Sequence, residues 1–149
     1  MLEHLYRQLV IDHAKKRRNH RRISGEHVQQ THYKNPTCGD VITLYVELQG
    51  HHVDDIAFVG EGCSISMASA SMMTELLKGV SLEEASSMRH AMERMIRHGE
   101  ISSDVDLGDA LSLEGVHKLR GRHNCALMAW QALDRVIGHE TTYEPVARS

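Results

Sequence analysis

Apolar residues recur along this chain with two different periods, and the changes of period mark out its elements. Leu2, Leu5, Leu9 and Val10 follow helical spacing, which predicts an amphipathic helix to about residue 16. A basic run from Lys15 to Arg22 comes next and reads as a solvated helix end and loop, with cations near a helix C-terminus. Asn35-Pro36 signals a turn. From Val41 the pattern alternates, directing Ile42, Leu44, Val46 and Leu48 toward a core and Thr43, Tyr45 and Glu47 away from it. Gln49 to His52 breaks this strand, and a second strand covers Val53 to Val59, so the pair reads as an antiparallel hairpin.

Gly60-Glu61-Gly62 ends the second strand, and a helix is predicted from about Ile65 to Leu77. Small residues from Ala68 to Ser71 would let it lie close to the sheet. Ser81-Leu82-Glu83-Glu84 is a capping box that opens the next helix. Its apolar stripe is Leu82, Ala85, Met88, Met92, Met95 and Ile96, and the methionines read as core. Residues 99–121 are less regular and suggest a solvated connection with a short helix. Asp104, Asp106 and Asp109 lie there without the glycine and glutamate spacing of a calcium loop. The last helix should run from about Asn124 to Ile137 and stop at Gly138. The expected fold is therefore α+β, a small antiparallel sheet with helices packed on one face. At 149 residues, positions 1–149 fit a single domain.

Charge and composition narrow the function classes. A net charge of -3 gives no general affinity for nucleic acid, and the basic run lacks aromatic residues that would stack on bases. No stretch approaches the ~18 apolar residues of a membrane span, and the first twenty residues hold no long apolar segment. A cytoplasmic protein without membrane or nucleic-acid partners is expected. A domain of this size buries enough surface to fold without disulfides, roughly 68–70% of what its unfolded chain exposes. Its 12 histidines scatter, and most are expected at the surface, including His51-His52 in the predicted turn.

The 3 cysteines cannot all pair within one chain. Cys38 precedes the first predicted strand, Cys63 lies between the second strand and a helix, and Cys125 opens the last helix. Thiols at helix N-termini gain thiolate character from the helix dipole and its free N–H groups. These placements suggest one shared metal site, with three inert buried thiols as the competing reading. No CxxC pair is present. Asp40 is the candidate fourth ligand, because positions i and i+2 of an extended segment point to the same side. Its alternative is a turn aspartate that caps a backbone amide.

These residues resemble a known family. The runs Asn35-Pro36-Thr37-Cys38-Gly39-Asp40, Gly60 to Met73 and Arg122 to Trp130 are similar to the SufU branch of the IscU/NifU-like superfamily. Leu5 to His13 and Asp106 to Leu111 match as well, so the resemblance spans nearly the whole chain. Two features favour SufU over IscU. The stretch 64–124 between the second and third cysteines is long, and Asn124 stands where IscU-type proteins carry a histidine before the third cysteine. Leu119-Arg120-Gly121-Arg122 replaces the IscU chaperone-binding motif, and Ala14 to Asn19 departs from the usual SufU sequence after the first helix.

The resemblance implies iron–sulfur cluster assembly. It implies zinc held by Cys38, Asp40, Cys63 and Cys125, with Cys38 accepting persulfide sulfur from a pyridoxal-phosphate-dependent cysteine desulfurase of the SufS type. Downstream Suf cluster-assembly proteins would follow as partners. Arg122 matches a family arginine near the partner interface. Three thiolates and a carboxylate around Zn²⁺ leave the site strongly anionic, so exchange of Cys38 for a neutral ligand from the partner would free a nucleophilic thiolate at low electrostatic cost. The rival function is a scaffold on which the same residues hold a nascent [2Fe–2S] cluster.

Overall fold

The computed structural model describes residues 2–36 and 39–141, and side chains through Ile137. Helix α1 (Leu2–Lys15) precedes strands β1 (Val28–Lys34), β2 (Val41–Gln49) and β3 (His52–Glu61). Helices α2 (Ser64–Leu77) and α3 (Leu82–His98) follow, then 3₁₀ segments at Gly108–Lys118 and Arg120–Arg122, then α4 (His123–Thr141). The strands form an antiparallel sheet in the order β1-β2-β3. No helix among the described residues is long and apolar enough to cross a membrane.

The predicted hairpin is β2 and β3, with Leu44 opposite Phe58 and Val46 opposite Ile56. Ile42, Leu44, Val46, Val53, Ile56 and Phe58 enter one core with α2, α3 and α4. Leu48 is only half-buried, beyond a register shift between Glu47 and Leu48. Tyr45, expected to face away, is nonetheless buried, and its hydroxyl accepts a hydrogen bond from Arg22 Nη1 at 3.1 Å. The basic run accounts for this. Phe58 N–H donates to Asn19 O at 3.0 Å, His20 bridges Phe58, and Arg21 pairs with Asp55 at 2.9 Å. Residues 19–22 thus lie along the outer edge of β3 and cover an edge that would otherwise be left open.

Strand β1 was not legible in the pattern. Val28-Gln29-Gln30-Thr31-His32-Tyr33-Lys34 offers few apolar residues, as befits an edge strand that is half-buried at best. Packing against α4 supports it: Arg135 lies 4.8 Å from the Tyr33 ring centroid and donates to His32 O at 3.3 Å.

Helix α2 is buried on nearly all sides, with Ser66, Ser69, Ser71 and Thr74 fully enclosed. Each hydroxyl has a partner, as burial demands. Ser69 Oγ donates to Ala126 O at 2.6 Å and accepts from Trp130 Nε1 at 3.1 Å, which ties α2 to α4. Thr74 Oγ1 accepts from Asn19 Nδ2 at 3.1 Å. Helix α3 opens on the expected capping box, with Ser81 and Glu84 exchanging two 3.0 Å hydrogen bonds, and closes on Gly99 at φ 72°. Helix α4 runs through Gly138 to Thr141 rather than stopping there, since one helical glycine costs only about 1 kcal/mol relative to alanine.

Candidate metal centre

The sheet register builds the site. Val41 pairs with Glu61, so Asp40 falls opposite the Gly62-Cys63 junction. Gly60 allows the close approach: a Cβ there would lie 2.4 Å from Val41 O. Gly62 allows the next one, because its Cβ would lie 2.9 Å from the Asp40 carboxyl. The turn before Asp40 is closed by Asn35 N–H to Asp40 O (2.7 Å) and Gly39 N–H to Asn35 O (2.9 Å), with Gly39 at φ +80°.

Asp40, Cys63 and Cys125 are brought together from three elements, with one donor atom of each within 4.8 Å of the others. Cys63 is the N-cap residue of α2 and half-buried; Cys125 is in the first turn of α4 and buried. Two sulfurs and a carboxylate oxygen at these separations fit a zinc ion, and the space that Gly62 leaves is filled by the Asp40 carboxyl itself. Cys38 lies outside the described residues, two positions before Asp40 in the chain.

Burial raises the pKa of the Cys63 thiol, but the Ser66 and Ile65 N–H groups at the start of α2 and the neighbouring Cys125 oppose this, and the net result lies below the ordinary thiol value. Those N–H groups are free donors of the α2 N-terminus, and they favour the thiolate. Arg122 is exposed and lies beside both sulfurs. Interaction with Cys125, then the charge of Cys63, holds its guanidinium pKa above the ordinary value. Its cation partly offsets the negative charge gathered by Asp40, Cys63 and Cys125.

Two further contacts escaped the sequence reading. Ser66 Oγ donates to Asp40 Oδ2 at 2.7 Å, and Asn35 Nδ2 points to Cys125 Sγ at 3.9 Å. Both residues sit within runs singled out for their cysteines, but only the fold brings them to those partners.

A second cluster, His13, Glu75 and Asp109, also lies within 4.8 Å. Two of its three members, His13 and Asp109, are tied by hydrogen bonds. Arg18 N–H donates to Ser71 Oγ (2.9 Å), and His13 joins Ser71 Oγ through Nδ1 (2.8 Å) and Asp109 Oδ2 through Nε2 (3.0 Å). The chain of bonds joins α1, α2 and the first 3₁₀ segment through a fully buried histidine.

A family model described as the NifU-like N terminal domain matches residues 5–138. The chain belongs to this family. It is 45% identical over 139 residues to the zinc-dependent sulfurtransferase SufU of Bacillus subtilis (strain 168), covering 93% of each chain. It is 42% identical over 136 residues to the iron–sulfur cluster assembly scaffold protein IscU of Streptococcus pyogenes serotype M1, covering 91% of this chain and 84% of the relative. Among solved structures, a candidate SUF-system scaffold protein from Fervidobacterium islandicum AW-1 superposes with a TM-score of 0.81 at 32% identity, over 87% of this chain and 94% of the other. The α+β fold is that of the NifU-like N-terminal family.

Proposed function

We propose that this NifU-like protein works in iron–sulfur cluster assembly as a zinc-bound sulfur acceptor for a pyridoxal-phosphate-dependent cysteine desulfurase of the SufS type. The observation that carries the reading is the convergence of Asp40, Cys63 and Cys125 beside the Arg122 cation. With Cys38 as the fourth ligand, the set is three sulfurs and one oxygen. When bound, zinc would keep those sulfurs as thiolates at neutral pH.

Cys38 is assigned as the acceptor because it adjoins Gly39 in the sequence, away from any helix start, whereas Cys63 and Cys125 are built into helix starts. Its thiolate attacks the terminal sulfur of the partner's persulfide. A new S–S bond forms on Cys38, the partner's S–S bond breaks, and the partner cysteine leaves as a thiolate, so no outside oxidant or reductant is required. Arg122, exposed and cationic, also suits contact with an acidic group on the desulfurase.

The test is cysteine-dependent alanine production by a SufS-type desulfurase with and without this protein, with mass detection of persulfide on Cys38. Alanine production should rise, and Cys38→Ala should abolish the rise. No rise, or the extra sulfur on Cys63 or Cys125, refutes the assignment. The likeness to scaffold proteins supports a second reading, assembly of a [2Fe–2S] cargo on the same residues. Protein purified brown, with iron matched by sulfide, would favour it.

A further inference from the structure

We infer that Ser66 is a positioning residue for Asp40, locking the carboxylate ligand onto the helix that carries Cys63. This rests on the zinc reading above. Ser66 is fully buried in the first turn of α2, where a free hydroxyl would have no access to water. It has one proton and two acceptors in reach, Asp40 Oδ2 at 2.7 Å and Cys63 Sγ at 3.5 Å. Distance assigns the proton to the carboxylate. The Cys63 N–H reaches the same oxygen at 3.3 Å. Asp40 Oδ2 is therefore held by two donors on the α2 N-terminus.

The consequence is mechanical as well as electrostatic. Asp40 follows Gly39, whose φ of +80° marks a turn that leaves open space where a Cβ would sit. Left to that turn, the carboxylate would sample several orientations and lose entropy on each binding event. Bonded to Ser66, it moves with α2, the most enclosed helix of the fold, and therefore with Cys63. Two ligands from separate elements become one prearranged pair. Ser66 is needed for this geometry but donates no atom to the metal.

The test is a double-mutant cycle in the full chain, read by zinc affinity in competition with a chromophoric chelator and by the visible spectrum of the cobalt-loaded protein. Ser66→Ala should weaken zinc binding by roughly 10–100-fold, the usual effect of losing an outer partner of a ligand. It should leave the stoichiometry unchanged and shift the cobalt bands toward those of Asp40→Ala. In the Asp40→Ala background, Ser66→Ala should have no further effect. If Asp40→Ala weakens binding and Ser66→Ala does not, the positioning role is wrong and the zinc reading stands. If Ser66→Ala weakens binding equally in both backgrounds, it acts by another route and the inference is overturned. If Asp40→Ala itself leaves zinc affinity and the cobalt bands unchanged, Asp40 is not a ligand and both readings of it fall.

Discussion

Gly62→Ala tests the centre without removing any ligand. The new methyl would lie 2.9 Å from Asp40 Cγ and Oδ2 and 3.1 Å from its Cβ, closer than carbon atoms approach. Asp40 is short, so relief requires rotation of its carboxylate. That rotation breaks the 2.7 Å bond from Ser66 and the 3.3 Å bond from the Cys63 N–H. Hydrogen bonds to a charged group contribute about 1.5–3 kcal/mol each, and water recovers part of this because Asp40 is only half-buried. The net loss of metal-free stability should be about 1–3 kcal/mol, measured by urea unfolding with excess chelator. Zinc affinity should fall by roughly 10–100-fold, as for loss of a ligand's support. Gly115→Ala is the control: its Cβ meets nothing within 4 Å, so zinc affinity should be unchanged and stability should not fall. A Gly62→Ala protein with wild-type stability and wild-type zinc affinity would refute the close packing of Asp40 on the Gly62-Cys63 junction.

Other outcomes follow from the same contacts. Cys125→Ser should lose most bound zinc, as metal analysis of the purified protein will show, because a soft buried ligand is replaced by a hard neutral one. Ser69→Ala should cost about 1–3 kcal/mol of unfolding free energy, since the buried Trp130 Nε1–H loses its acceptor. Asp55→Asn should destabilise near neutral pH and less in acid. Burial raises the Asp55 pKa, but Arg21, the Ile56 N–H and Lys78 outweigh it and hold it below the ordinary value. A depressed carboxylate pKa gives stability that is present above the unfolded pKa and is lost as pH falls through the folded one. Denaturation midpoints of the two proteins should therefore converge below about pH 4, the ordinary carboxylate range.

The elements with strong periods were readable from the chain. Val41–Leu48 alternates because β2 has a strand on each side and helices over one face, and Ser81-Glu84 names its own helix start through local hydrogen bonds. Strand β1 was not readable, because Gln29, Gln30 and His32 acquire their pairing from β2 and their cover from α4. Helix α1 likewise gave a misleading stripe: Leu2 and Leu5 are each 56% exposed, while polar His13 is its fully buried residue. Of the predicted ligands, Asp40, Cys63 and Cys125 do meet, and Cys38 falls outside the described residues. What spacing could not give was Ser66 and the contact of Arg122 with the sulfurs. Those depend on how α2 and α4 begin at the same corner of the sheet, which no local pattern encodes.

The enclosure of α2 also separates two clocks. A helix covered by α1, α4 and the sheet exchanges its amide hydrogens only when the whole domain opens, whereas the half-exposed edge strand β1 can open by itself far more often. Cys63, and Asp40 bonded to the first turn of α2, are therefore governed by the slow clock and β1 by the fast one. The edge of the sheet can loosen many times over without this pair of side chains ever letting go.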